Sequence, residues 1–146
     1  MRRAAIVTRV IEPAALIAEV QSRELGAISL FAGTVRDTNK GRSVTGIEYS
    51  AYTSMAESEL DRILAEAGDR FGVSAIVVEH RVGSLALGDV SVAIVAAHAH
   101  RAPALDCTRW IIEEIKRRVP IWKLEHYADG AREWVDPTES SGVATT

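Results

Sequence analysis

The segment KRRVPIWKLE, Lys116–Glu125, decides the fold, because a helix must end there and a strand must begin. Apolar residues at helical spacing precede it from about residue 102. Pro120 stops the helix, since proline has no amide proton and clashes with the preceding turn. The residues after Pro120, IWKLEHY, are typical of a strand. A chain that turns back at Pro120 lets the amines of Lys116 and Lys123 converge on one pocket.

Outward from this corner, apolar periodicity predicts the element order β-α-β-β-α-β-β-α-β-β. The predicted strands cover residues 5–10, 27–33, 44–52, 74–83, 90–98, 121–127 and 132–135, and the predicted helices cover residues 13–23, 55–71 and 102–118. Ser54 is the expected N-cap of the second helix, and within SLALGD, residues 84–89, Gly88 and Asp89 are expected to form a turn. This order predicts an α+β fold in which two main helices pack on a mainly antiparallel sheet.

Composition indicates one globular domain. The chain has 146 residues, of which 47% are hydrophobic and 25% are charged. We expect a single catalytic domain over residues 1–136 and a flexible tail over residues 137–146, PTESSGVATT. The net charge of −3 argues against nucleic acid as a partner.

The cysteine count and the apolar runs bear on the compartment. One cysteine, Cys107, excludes an internal disulfide and fits a reducing environment. No apolar run approaches the roughly 20 residues that a membrane span needs. We therefore expect a cytoplasmic protein without a membrane partner.

The third predicted helix carries candidate residues on several faces. On a helical wheel, the apolar stripe that should face the sheet consists of Leu105, Thr108, Ile112 and Ile115. Lys116 falls on the margin of this stripe and Arg117 points outward, while Cys107 lies off it. Trp110 lies opposite, so its indole should point away from the core and is a candidate interface contact.

Basic residues and histidines collect where predicted elements end. His100 and Arg101 precede the third helix, whose N-terminus favours an anion. His98 and His100 would share one face of a strand, but a metal site would need His80 or His126 as a further ligand, and no metal-binding motif accompanies them. Each of these residues is equally compatible with an ordinary surface.

Five motifs occur together and in order: FAGTVRD (31–37), IEYSAYTSMA (47–56), HRVGSLALGD (80–89), AHAHRAPAL (97–105), and KRRVPIWKLE followed by DG and EWV. In this combination the chain resembles the large, catalytic subunits of molybdopterin synthase, from about Gly26 to Val135. The resemblance implies an α/β hammerhead fold joined to an antiparallel sheet.

It also implies a sulfur-transfer activity. Members of this family build the dithiolene of molybdopterin on cyclic pyranopterin monophosphate, also called precursor Z. The sulfur comes from a thiocarboxylate at the C-terminal Gly-Gly end of a small ubiquitin-like partner subunit. The assembly implied is a heterotetramer with a homodimer of large subunits at its centre, and no cofactor or metal is expected.

Residue by residue, the resemblance implies catalytic roles for Lys116 and Lys123. It implies substrate binding by these lysines and by four further residues: Phe31, Arg36, His100 and Arg101. Lys116 is expected to contact the thiocarboxylate carbonyl and Lys123 to transfer a proton or stabilise an anion. Partial burial against Trp122 and the nearby Arg117 and Arg118 should lower the lysine pKa values.

The rigid insert Pro120, Ile121 and Trp122 is expected to form a wall of the pocket and, with Trp110, to offer partner or dimer contacts. Ser50 and Leu124 depart from residues frequent in the family, which affects expected partner contacts more than activity. Two alternatives remain open from the residues alone: a non-catalytic anion-binding assembly module and a histidine-based metalloenzyme.

Overall fold

The computed structural model of the protein describes residues 1–135, so the expected tail lies outside the described residues. The strands are β1 (Arg2–Val7), β2 (Ala27–Thr34), β3 (Thr38–Asn39), β4 (Arg42–Ala51), β5 (Ala75–Arg81), β6 (Gly83–Ala86), β7 (Val90–His98), β8 (Ile121–Tyr127) and β9 (Arg132–Val135). The helices are α1 (Pro13–Val20), α2 (Thr53–Phe71) and α3 (Arg101–Arg118).

The strands form two sheets. The first has the order β1-β5-β7-β2, and only its β1–β5 pair is parallel. The second has the order β3-β4-β8-β9, and β6 also pairs with β4. Helices α2 and α3 pack on the first sheet, and the main core joins them to residues of both sheets. The shorter α1 covers a smaller apolar cluster of its own. The predicted α+β class with two main helices on mainly antiparallel strands is confirmed.

Helix α3 has almost the predicted bounds, and Thr108 and Ile115 are buried as expected, but the buried face is shifted from the predicted one. Leu105, expected in the core, is 57% exposed, whereas Cys107, expected off the stripe, is completely buried. The reason is that α3 approaches the sheet through its small residues, and the buried Thr108 hydroxyl lies 2.7 Å from that of Ser29 on β2. A helical wheel that is oriented by its large apolar side chains does not reveal a contact made by small residues.

Trp110 is also placed differently from the expectation. Its half-buried indole packs edge-to-face on Phe71 of α2, with ring centroids 6.1 Å apart, and the Arg70 guanidinium lies 5.5 Å from its centroid. The indole therefore belongs to the contact between α2 and α3 and does not point away from the core. Its role as an interface residue stays a prediction.

Several element ends differ because tertiary pairing determines them. β1 begins at Arg2 and ends at Val7, since these residues pair in parallel with β5. Ser54 is not the N-cap of α2, because Tyr52 holds that position. The segment between the two predicted strands, residues 84–89, contains most of a short strand, β6, that pairs with β4. The expected turn at Gly88 and Asp89 follows it, and the Asp89 N–H donates to the Ala86 carbonyl at 3.1 Å.

A buried carboxylate ties the N-terminal strand to the first sheet. Glu79 on β5 is fully buried, and its oxygens accept hydrogen bonds from Arg3 at 2.9 Å and from Arg9 at 3.0 and 2.7 Å. Burial opposes ionisation, but these hydrogen bonds outweigh it and hold the pKa of Glu79 below its ordinary value of 4.5.

We predict that Glu79→Gln lowers the free energy of unfolding by about 1–3 kcal/mol at pH 7, because charged hydrogen bonds to a buried group are lost. A depressed folded-state pKa gives stability that is present above pH 4.5 and is lost as the pH falls through the folded value. The difference in the free energy of unfolding between Glu79→Gln and wild type, measured by urea titration, should therefore shrink below pH 4.5. Glu24→Gln, at an exposed position, is the control and should change nothing. A pH-independent deficit would contradict the account.

Candidate functional site

A cavity of about 460 Å³ lies where the C-terminal turn of α3 meets the two sheets. Both predicted lysines line it, and their convergence is confirmed. The lining residues are Tyr49, His80, Ser91, Val92, Ile112, Ile115, Lys116, Val119, Ile121 and Lys123. The corner at Pro120 produces this arrangement: α3 delivers Lys116 from its last turn, and β8 then runs back along β4.

Strand alternation directs Lys123 inward. The side chain of Lys123 is 4% exposed, whereas its neighbour Trp122 is 39% exposed on the opposite face, edge-to-face with Tyr52. Of the expected pocket wall, Ile121 lines the cavity and Trp122 faces outward. Lys123 is therefore not a solvent-facing strand residue.

Lys116 has a lowered basicity. Burial is the main cause, and the positive charges of Lys123 and Arg36 add to it, so that its pKa falls from 10.5 to about 8. The expectation that Arg117 and Arg118 supply this effect is wrong, because these arginines are neutralised by carboxylates of Glu59, Glu66 and Glu114.

Lys123 differs from Lys116 in having a buried carboxylate beside it. Its Nζ lies 3.5 Å from Oε1 of Glu125, which is 1% exposed. Burial and, more weakly, Arg36 lower the pKa of Lys123, while Glu125 opposes the shift. Sequence reasoning missed Glu125, although the period of two places it on the same face of β8 as Lys123.

Glu125 is held by two further groups. The Asn39 amide donates to both of its oxygens, at 3.0 and 2.8 Å, and the Tyr127 hydroxyl donates to Oε2 at 2.7 Å. This fixes the amide orientation of Asn39, since its oxygen cannot face a carboxylate. Asn39 Oδ1 is buried and has no hydrogen-bond partner within residues 1–135.

A second cleft of about 220 Å³ lies on the other side of Lys123. It is lined by Arg36, Thr38, Asn39, Val44, Ile47, Lys123 and Glu125. Arg36 comes from the loop after β2 and is exposed. Lys123 thus forms a shared wall, with Lys116 on one side and the predicted anion-binding Arg36 on the other.

The remaining predicted substrate residues lie elsewhere in the chain. His100 and Arg101 are exposed at the start of α3. Arg101 and Lys116 are fifteen positions apart on this helix, which corresponds to a distance of about 22 Å along its axis. Phe31 packs against the main core from β2 and is not among the lining residues of either cavity. Within one copy, the structure brings together Lys116, Lys123 and Arg36 only.

The histidine pair near α3 has a structural explanation. Nδ1 of His98 accepts a hydrogen bond from the backbone N–H of His100 at 2.9 Å, so it holds the turn into the helix. Among residues 1–135, no three histidine, cysteine or acidic side chains are grouped so that they could hold a metal ion.

None of the helices within the described part of the chain has the length and apolar character to cross a membrane.

Comparison with known proteins finds similar sequences. A family model described as MoaE protein matches residues 6–118. A molybdopterin synthase catalytic subunit of Pyrococcus abyssi is 41% identical over 120 residues, covering 82% of this chain and 80% of the relative. A molybdopterin synthase catalytic subunit of Halalkalibacterium halodurans is 40% identical over 134 residues, covering 92% of this chain and 85% of the relative.

Solved structures show the same architecture. Molybdopterin synthase from Staphylococcus aureus superimposes with a TM-score of 0.85 at 33% identity, over 90% of this chain and 95% of that one. A complex of subunits 1 and 2 of molybdopterin-converting factor from Helicobacter pylori has a TM-score of 0.75 at 22% identity, over 97% and 99% of the chains, and supports the fold alone.

We predict that Lys116 titrates at about pH 8, because it is buried beside two cations. The chain has only three lysines, so acylation by acetic anhydride across pH, read by mass spectrometry, resolves each one, with exposed Lys40 as internal reference. Lys123→Met should raise the Lys116 midpoint toward that of an ordinary lysine. A wild-type midpoint near 10.5 would show that the cavity does not lower its basicity.

Proposed function

Because this chain belongs to the MoaE family, whose members are catalytic subunits of molybdopterin synthase and act in molybdenum cofactor biosynthesis, we propose that it is a sulfurtransferase. It moves sulfur from the C-terminal thiocarboxylate of a small ubiquitin-like subunit to cyclic pyranopterin monophosphate, or precursor Z. The observation that carries the proposal is the convergence of Lys116 and Lys123 on one cavity beside Arg36.

The donor suits the larger cavity. A thiocarboxylate is an anion at the end of a narrow peptide, and a Gly-Gly terminus has no side chains to obstruct entry. Two amines in a largely apolar wall attract such an anion strongly, since water screens little there. The carboxylate of Glu125 lies behind Lys123, so it holds this amine without filling the cavity.

Each transfer exchanges one substrate oxygen for one sulfur. A C–S bond forms at the pterin side chain and the acyl C–S bond of the donor breaks. The small subunit leaves as a carboxylate that has taken up one oxygen, so no oxidant or reductant is needed. Negative charge develops on the acyl oxygen and on sulfur along this path, and fixed cations stabilise it.

The two lysines have different tasks. With a pKa of about 8, Lys116 accepts and returns protons near neutral pH. Glu125, 3.5 Å from its amine, favours the charged form of Lys123, which stabilises the developing oxyanion. Proton transfer, expected of Lys123 from the sequence, is thus assigned to Lys116, whereas anion stabilisation stays with Lys123.

The second cleft suits the phosphate of the substrate. Arg36 is exposed at its mouth, and a guanidinium can form two parallel hydrogen bonds to phosphate. Since Lys123 lies between the two cavities, sulfur donor and pterin would meet on either side of its amine.

The distant His100 and Arg101 fit this function if a second copy supplies them. Strand β2 is the edge of the first sheet, and within residues 1–135 it pairs only with β7. Its apolar side chains Ile28 and Leu30 are 38% and 41% exposed. Such an edge suits antiparallel pairing with the β2 of another copy about a two-fold axis.

This pairing would bring residue 27 of one copy beside residues 34–36 of the other. Ala27 pairs with His98, so His100 and Arg101 lie at that end, whereas Arg36 follows the opposite end. The two α3 helices would then lie antiparallel on the same face of the joined sheet. Arg101 of one copy thereby approaches the Lys116 end of the other.

We predict that Lys116→Met and Lys123→Met each lower the rate of dithiolene formation by about 10²–10³-fold, the usual loss when a transition-state donor is removed. The measurement mixes the protein with a thiocarboxylated small subunit and precursor Z and assays the product. Lys40→Met, the exposed third lysine, should keep full activity. Tight binding of both ligands by wild type without turnover would instead favour the non-catalytic anion-binding module.

We predict that co-expressed Lys116→Met and Arg101→Ala chains recover activity that neither has alone. Random pairing makes half of the dimers mixed, and each mixed dimer has one intact site of two, so about a quarter of wild-type activity should return. If Lys116 and Arg101 served the same site from one chain, no mixed dimer would contain an intact site. Absence of recovery in isolated mixed dimers would refute the two-copy site.

A further inference from the structure

His80 lies in the wall of the larger cavity but has no part in the mechanism above. It comes from the end of β5, is 6% exposed, and shares the cavity with Lys116. Its ring stands edge-to-face on Tyr49, with centroids 5.1 Å apart and planes at 72°. The Tyr49 hydroxyl is in turn hydrogen-bonded to Ser91, whose Oγ donates to the Gly33 carbonyl at 3.2 Å. The ring is therefore held in place from several sides.

The protonation of this ring follows from its partners. Nδ1 lies 2.9 Å from the backbone oxygen of Arg81, and a carbonyl only accepts, so Nδ1 carries the proton. Burial, with the nearby charge of Lys116, lowers the pKa of His80 to about 4. The ring is neutral at physiological pH, and Nε2 is left as an acceptor.

The groups that share the cavity with this acceptor are mostly donors. Lys116 comes from α3, Lys123 from β8, Tyr49 from β4 and Ser91 from β7. The hydroxyls of Tyr49 and Ser91 are hydrogen-bonded to each other, and the Lys123 amine lies next to the Glu125 carboxylate. Lys116 is the cation whose charge acts on His80.

We propose that His80 is a positioning residue of this site: its Nε2 accepts a hydrogen bond from the Lys116 ammonium group and orients that amine toward the ligand. The proposal rests on the proposed function for its catalytic consequence, but not for the contact itself.

A neutral acceptor is chemically suited to this position. A carboxylate beside Lys116 would cancel its charge, compete with the incoming anion and raise the lysine pKa. An imidazole fixed in one tautomer orients the ammonium group by one hydrogen bond and leaves its charge available. The two lysines would thus be supported by opposite means, Lys123 by an anion and Lys116 by a neutral ring.

Two substitutions of His80 distinguish the contribution of Nδ1 from that of Nε2. In His80→Asn the amide lies at the position of Nδ1, so it can still donate to Arg81 but offers no acceptor at Nε2. In His80→Gln the amide reaches the Nε2 position and restores an acceptor while losing the Nδ1 contact. A general packing role would make the two variants behave alike.

The contact is tested by acetic anhydride labelling of Lys116 across pH, a readout that needs no turnover. We expect His80→Asn to lower the Lys116 midpoint below the wild-type value, because the charged amine loses an acceptor, and His80→Gln to restore it. Equal shifts in both variants, or none in either, would overturn the proposal. For the unsubstituted protein, ¹⁵N spectra of the histidines must show His80 protonated at Nδ1 alone; protonation at Nε2 would also overturn it.

The catalytic consequence is tested by reconstitution. We expect His80→Asn to lower kcat about tenfold, the loss of one well-placed hydrogen bond, with little change in the Kd of the small subunit. His80→Gln should retain most of kcat. If wild type forms no product, the proposed function fails while the labelling still decides the contact. If wild type turns over and His80→Asn matches it, the positioning role is wrong.

Discussion

The burial of an ion pair on the inner face of β8 is the constraint on which the site depends. Lys123 and Glu125 are both almost completely buried, and their desolvation is costly unless every remaining hydrogen-bonding atom is satisfied. The Asn39 amide and the Tyr127 hydroxyl meet that need for Glu125, and Asn39 comes from a strand of only two residues. A hydrophobic pair would suit stability equally well. The pair is better explained by what it holds, an ammonium group at a defined position between two cavities.

The corner at Pro120 explains why the two lysines are not equivalent. A helix end remains partly open to solvent, and Lys116 accordingly lies at a cavity rim without a place in the buried carboxylate cluster. A strand in the middle of a sheet is covered on its inner face, so Lys123 is buried and needs Glu125. One breaker residue thus places two identical amines in environments that give them different basicity.

The sequence predicted those features that local patterns encode. Pro120 and the apolar periods located α3 and β7 to within a residue, and alternation put Lys123 and Trp122 on opposite faces. Prediction from the sequence failed where contacts between segments distant in the chain determine the structure. The buried face of α3 depends on the close approach of β2, and the partners of Glu125 include Asn39, 86 positions away. In the sequence, His80 stands out only as a possible metal ligand. No local pattern reveals that it will line the same cavity as Lys116, which lies 36 positions later.

The distribution of charge explains how a chain with a net charge of −3 forms an anion site. Arginines near the site but outside its cavities are neutralised: Arg118 contacts three glutamates, and Arg117 contacts Glu114. Arg36, by contrast, forms no ion pair with any residue between 1 and 135. The single carboxylate among the lining residues, Glu125, is already shared by Asn39, Tyr127 and Lys123. An incoming anion therefore meets few competitors, and at close range local cations such as Arg36 outweigh the opposite sign of the whole protein.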